Sequence, residues 1–205
     1  MPISRAFFDR PAPAVAQDLI GWDFRIAGIG GVIVETEAYT RDDEASHSFR
    51  GPRTANAAMF GPPATAYVYR IYGLHRCLNF VCRDAGAVLI RALEPVSGLK
   101  EMAERRALED ARLLCSGPGR LAQALGVGLG LNGASLLEEP FALLPPQEAS
   151  TVVTGLRIGI SRAVDRPWRF GRHRSRFLSK PFPPDATVVA GKRPLMPRQQ
   201  EGESR

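Results

Sequence analysis

Val32-Ile33-Val34-Glu35-Thr36-Glu37-Ala38-Tyr39 is rich in β-branched residues and lacks a helical period, so it reads as a strand. A period of two puts Ile33, Glu35, Glu37 and Tyr39 on one face and Val32, Val34, Thr36 and Ala38 on the other. One face is small and apolar; the other ends in carboxylate, carboxylate, aromatic. Two acids about 6.6 Å apart on one strand face can flank a reacting bond. A strand running from the core into solvent has the same pattern, and the eight residues alone do not separate the two.

Outward from this strand, Phe24 to Ile26 precedes it as a second strand across the turn Gly28-Ile29-Gly30-Gly31. Ala14 to Ile20 reads as a short amphipathic helix after Pro11 and Pro13, stopped by Gly21. Downstream, Arg41 to Pro63 is polar, Gly- and Pro-containing and too long for a structureless loop, which implies function or hidden helical turns. Ala66 to Ile71 and Arg76 to Cys82 form a hairpin around Tyr72-Gly73-Leu74-His75, and Ala87 to Leu93 is a further strand closed by Pro95. Ser97 to Leu114 is the strongest helical pattern, and Ser116-Gly117-Pro118 opens another through Leu125, with Gly126 past its end. Arg157 to Ser161 reads as a late strand. Strands come first and helices later, with hairpin connections. The expectation is an α+β single domain over residues 1–190, with a mostly antiparallel curved sheet, a protruding β-hairpin and surrounding helices. Residues 191–205 lack any apolar period and read as a frayed tail.

At 205 residues the chain has room for one good core, and 44% apolar with 23% charged residues is the balance of a globular protein. No apolar stretch approaches the 18 or so residues of a bilayer span, and the N-terminus has no signal-peptide pattern, so a cytoplasmic protein without a membrane partner is expected. Cys77, Cys82 and Cys115 are odd in number, and His47, His75 and His173 are scattered, so reduced thiols and no metal are expected. No Gly-rich phosphate fingerprint follows a strand, so no nucleotide cofactor is expected either.

Charge is unevenly placed. The chain carries a net +6 and a pI near 9.7. Between Leu156 and Lys180 stand Arg157, Arg162, Arg166, Arg169, Arg172, Arg174, Arg176 and Lys180 against Asp165 alone. A cationic segment on a near-neutral body is the footprint of a phosphate-binding protein, or else a solvated basic face.

Tyr67 and Tyr69 share a face of the hairpin's first strand, Tyr72 stands at its tip and Asn79 on its return strand. Tyrosine is a good strand former, but tyrosines beside a basic surface also make a stacking platform for a nucleobase. Arg91 interrupts an apolar strand and must be paired, with Glu35 or Glu37 the candidates; a structural and a catalytic pair read alike.

A series of blocks in order resembles the alkyladenine (3-methyladenine, methylpurine) DNA glycosylase family. They begin with Phe8-Asp9-Arg10-Pro11 and Val34-Glu35-Thr36-Glu37-Ala38-Tyr39, followed by Asp42 to Ser48 and Met59-Phe60-Gly61-Pro62. Tyr67-Val68-Tyr69 with Cys77-Leu78-Asn79, Leu89 to Pro95, and Leu114-Cys115-Ser116-Gly117-Pro118 complete the pattern. The resemblance covers roughly residues 7 to 180 and implies a monomeric, metal-free enzyme that excises alkylated or deaminated purines from double-stranded DNA. It further implies Glu37 as general base, Arg91 beside the attacking water, and Tyr39, His47 and Tyr69 around the flipped base. By the same resemblance Asn79 sits at the purine edge and Tyr72 wedges into the duplex. The chain departs from the family at Ala55 and at Gly171-Arg172-His173-Arg174-Ser175-Arg176, where Arg172, Arg174 and Arg176 could meet the DNA backbone or the segment could reshape the pocket.

The chemistry is coherent. An N3- or N7-alkylated purine already carries positive charge, so it leaves without a strong general acid, and one carboxylate that activates water suffices. A lyase route needs a pocket lysine, and Lys100, Lys180 and Lys192 all lie outside the motif blocks, so a monofunctional hydrolase is expected. The alternative class is a non-catalytic nucleic-acid-binding module using the tyrosine platform and the Arg-rich segment. It leaves Glu37, Arg91 and Asn79 without a purpose.

Overall fold

Strand β2 (Ile29–Tyr39), which contains the quoted stretch, is the hub of a nine-stranded sheet. In the computed structural model, which describes residues 3–71, 73 and 75–190, β2 pairs with three antiparallel neighbours. These are β1 (Asp23–Ile26), β5 (Ala87–Ser97) and β8 (Arg169–Arg172). The hairpin β3 (Ala66–Ile71) and β4 (His75–Val81) continues the sheet beyond β5 as one edge. β6 (Phe141–Leu144) pairs β1; β7 (Val152–Gly155) and β9 (Val188–Val189) continue it beyond β8. Every pairing is antiparallel, and the protein is a single α+β domain. Gly73, at φ +72°, supplies the left-handed residue of the hairpin turn. Tyr72 and the expected tail from Gly191 lie outside the described residues.

Among the described residues five short helices accompany the sheet: α1 (Arg5–Phe8), α2 (Ala12–Asp18), α3 (Leu99–Arg106), α4 (Ala111–Leu114) and α5 (Pro118–Ala124). Val15, Ala16 and Leu19 from the α2 region and Leu121, Ala122 and Leu125 from the α5 region meet Ile33, Leu78, Phe80, Val88, Ile90 and Leu93 in one apolar core. No helix among the described residues is long and apolar enough to cross a membrane.

Three local expectations are corrected. The helix expected over Ser97 to Leu114 is two helices: Ala107 adopts a left-handed φ of 49°, and Asp110 restarts the chain by accepting the Arg112 N–H at 3.0 Å. An aspartate is a better N-cap than interior helical residue, and here that preference wins. Pro95 does not close β5, which runs to Ser97. Nor do Arg157 to Ser161 form a strand: the late strands are β7 just before this stretch and β8 and β9 after it. Arg157 turns inward, and the Ile158 N–H goes to a carboxylate rather than to a ladder partner. The long Arg41 to Pro63 segment does hide helical turns, a 3-10 helix over Thr54–Phe60.

Candidate active site

Strict alternation along β2 fails at a bulge. Ile33 pairs Leu93 and Glu35 pairs Ala92, leaving Val34 over; on β5 Arg91 is skipped as Thr36 pairs Ile90. The extra residue flips the parity of the strand. Ile33 therefore joins Ala38 in the apolar core, and the Thr36 hydroxyl donates to Ala16 O in α2 at 2.8 Å. Val34 packs instead with Ala92 and Phe177. The face expected to carry Ile33, Glu35, Glu37 and Tyr39 carries only the last three, opposite the core.

Glu37 is wholly buried. Its Oε1 accepts the Ile158 N–H at 2.7 Å, and its Oε2 accepts the Tyr39 hydroxyl at 2.8 Å and lies 3.1 Å from Arg91 Nη1. A carboxylate has about four acceptor positions, so these two hydrogen bonds and the Arg91 ion pair leave one uncommitted. Arg91 also reaches Glu35 Oε1 through Nε at 2.9 Å, so both carboxylates named as its candidate partners hold it.

A cavity of about 700 Å³ lies beside these groups, with Tyr39, His47, Tyr69, Asn79 and Arg91 in its lining together with Tyr67. The sequence-expected base-binding residues are thus brought together around one space. The His47 and Tyr69 rings lie 4.4 Å apart, and His47 Nδ1 is 2.8 Å from the Tyr67 hydroxyl. Asn56 anchors this wall from behind, donating to His47 O at 2.7 Å. Asn79 is buried and donates to Tyr67 O at 3.2 Å. Burial pushes the His47 imidazole below its ordinary range and the Tyr67 phenol up to about 12. Burial, and then the adjoining Glu37 charge, also raises Tyr39. These three rings are uncharged near neutrality.

The charged groups form a layer that only the fold reveals. Among the described residues the buried ionisable acids are Glu35, Glu37 and Asp43 and the buried bases Arg91, Arg157 and Arg169, three of each. Arg157 pairs with Asp43, donates to Ala38 O at 3.0 Å and places its guanidinium 4.7 Å from the Tyr39 ring centroid. It is a backing for the cavity wall. Arg169 Nε meets Glu35 at 2.8 Å. Neither pair is legible from spacing, since 114 positions separate Asp43 from Arg157 and 134 separate Glu35 from Arg169.

The Arg-rich segment is correspondingly less cationic than its count. Arg157 and Arg169 are buried ion pairs, while Arg162, Arg166 and Arg172 face Glu44, Asp42 and Glu94 at 3.5, 3.7 and 3.2 Å. Arg174, Arg176 and Lys180 are exposed and make no ion pair among the described residues. None of Gly171 to Arg176 lines the cavity. No lysine among the described residues lines it either.

The family model described as methylpurine-DNA glycosylase (MPG) matches residues 6–176. The chain belongs to that family. A Rhizobium meliloti relative is 56% identical over 176 residues, covering 86% of this chain and 95% of its own length. A Nitrosospira multiformis relative is 57% identical, covering 85% and 92%, and one from Agrobacterium fabrum 54% identical, covering 89% and 95%. Each bears the name "Putative 3-methyladenine DNA glycosylase". As a methylpurine-DNA glycosylase family member, the chain is a DNA-repair glycosylase acting on DNA.

Proposed function

We propose that the protein flips alkylated or deaminated purines (the 3-methyladenine, 7-methylguanine, hypoxanthine and ethenoadenine class) out of double-stranded DNA and hydrolyses their N-glycosyl bond, leaving an abasic site. Glu37, buried beside the aromatic cavity with one acceptor position uncommitted, carries the reading. It takes the proton of the attacking water and stabilises the positive charge that develops on the sugar. Arg91, 3.1 Å from Glu37, lies beside that water. Tyr39, His47 and Tyr69 enclose the base, and Asn79 meets its purine edge. The low-lying His47 titration matters here: a neutral imidazole does not repel a cationic alkylated purine, while the ring faces attract it.

In this reading Tyr72, which the sequence places between the two hairpin strands, fills the gap in the stack, which offsets the few kcal/mol that flipping costs. Arg174 and Arg176 contact phosphates, with Arg172 sharing its charge with Glu94. The enzyme acts as a monomer, and with no lysine among the described residues of the cavity lining it acts as a monofunctional hydrolase. The test is a panel of duplexes bearing single 3-methyladenine, hypoxanthine or ethenoadenine, scored for abasic sites. Glu37→Gln should abolish product while duplex binding survives; excision that survives Glu37→Gln and is lost in Glu35→Gln would overturn the assignment of the base.

A further inference from the structure

Arg91 has a partner for each of its three side-chain nitrogens, and only one of them is Glu37. Nε donates to Glu35 Oε1 at 2.9 Å, Nη2 to the Ser179 hydroxyl at 3.4 Å, and Nη1 meets Glu37 Oε2 at 3.1 Å. Ser179 in turn donates its hydroxyl to Glu35 Oε1 at 2.7 Å and its backbone N–H to Glu35 Oε2 at 2.5 Å. Glu35 is fully buried and also accepts Arg169 Nε at 2.8 Å. A guanidinium is a rigid planar fork, so holding two of its nitrogens sets the direction of the third.

We propose that Ser179 and Glu35 are positioning residues that aim Arg91 Nη1 at Glu37, a role that rests on the proposed assignment of Glu37 as the base. The arrangement has a chemical logic. An arginine free to turn would grip Glu37 in the bidentate fork that carboxylates favour. With the Ile158 N–H and the Tyr39 hydroxyl already donating to Glu37, all four acceptor positions would then be filled, and the one left for water would be lost. Glu35 takes the Nε edge instead, and Arg91 touches Glu37 through a single nitrogen.

Ser179 reaches this place on a strap that follows β8 and lies beyond Arg176, where the family match ends. Arg169 holds the strap down. Its Nη2 donates to Lys180 O, its Nη1 to Pro181 O at 3.5 Å, and its guanidinium stacks 3.9 Å from the Phe182 ring centroid. Phe182 lies so close to Gly171 that a Cβ there would overlap its ring. Phe177, at the start of the strap, packs on Val34 and Ala92. The strap is thereby part of the site without lining the cavity.

The test uses the full chain. Single-turnover excision on a hypoxanthine or 3-methyladenine duplex should fall about tenfold or more in Ser179→Ala, because small misplacements of a group at the reacting centre are costly in rate. Affinity for an abasic-product duplex should stay within about twofold and the melting temperature within a few degrees. Ser179→Thr, which keeps the hydroxyl, should restore the rate. In an Arg91→Ala background, Ser179→Ala should cost less than about twofold, because a positioning residue has nothing left to position. The Arg91 Nε–H resonance should exchange faster in Ser179→Ala; if that variant fails to fold, Ser179→Cys, of similar size with a poor donor, replaces it. A wild-type rate in Ser179→Ala, or the full loss persisting without Arg91, overturns the proposal while leaving Glu37 as base. Normal excision by Glu37→Gln removes the functional reading itself, and the proposal with it.

Discussion

The two faces of β2 and β5 share one backbone and obey different rules. On the core face Ile33, Ala38, Val88, Ile90 and Leu93 pack against α2 and α5, and each side chain is replaceable by another of similar volume. On the opposite face Glu35, Glu37 and Arg91 sit in a layer of six buried charges. There every group depends on particular charged partners, because a charge left alone in the interior costs far more than a lost methyl group. Apolar burial holds the sheet together, whereas paired charge holds a geometry. Substitutions on the first face should register chiefly in stability, and those on the second in stability, rate or both, according to whether the pair touches the cavity.

Asp43→Ala strands the buried Arg157 guanidinium and should give the largest stability loss, about 3–5 kcal/mol, read by chemical denaturation. Replacing both partners by apolar residues should recover much of that loss. On the core face Ile90→Ala should cost about 2–5 kcal/mol through lost burial and the cavity left behind. Its excision rate, measured where the variant is folded, should stay within severalfold of wild type, and a selective loss of rate would blur the contrast between faces. Glu37→Gln should invert that signature, with excision down by about 10²-fold or more and little loss of duplex affinity.

Two smaller effects sharpen the boundary of the charged layer. His47 titrates below its unfolded value, near 6.5, because it is buried. The unfolded chain therefore binds more protons in that window, and the stability contributed by neutral His47 is complete above it and lost as pH falls through the folded value. Melting curves between about pH 7.5 and 5 should show this slope, and His47→Gln should flatten it. Arg174→Ala or Arg176→Ala should each lower the salt dependence of duplex binding by about one ion, equally for damaged and intact DNA. Arg172, already facing Glu94, should contribute less.

Much of the site was legible because it is local. The sequence places Glu37 and Tyr39 on one strand face, and Tyr67, Tyr69 and Asn79 on a hairpin; the fold brings Tyr39, Tyr67, Tyr69 and Asn79 to the lining of one cavity, with Glu37 behind it in contact with Tyr39 and Arg91. Arg91 in an apolar run demanded a carboxylate, and two were in reach. Periodicity misled at Val34, since a bulge is decided by how two strands close on each other rather than by either one. It misled again at Arg157 to Ser161, where the residue types suit a strand but the Ile158 N–H serves Glu37.

By itself, then, the sequence determined what alternation, turn chemistry and capping control: the strand-rich first half, the hairpin, and the helix opening at Pro118. Tertiary structure alone decided which charges meet. A cluster of arginines reads as a cationic surface when it is counted along the chain, yet five of the eight bases between Leu156 and Lys180 face acids brought from other segments. The physical reason is the range of the interactions. Backbone conformation responds to neighbours a few residues away, whereas a buried charge is admitted only with its partner, and that partner can stand anywhere the fold can bring it.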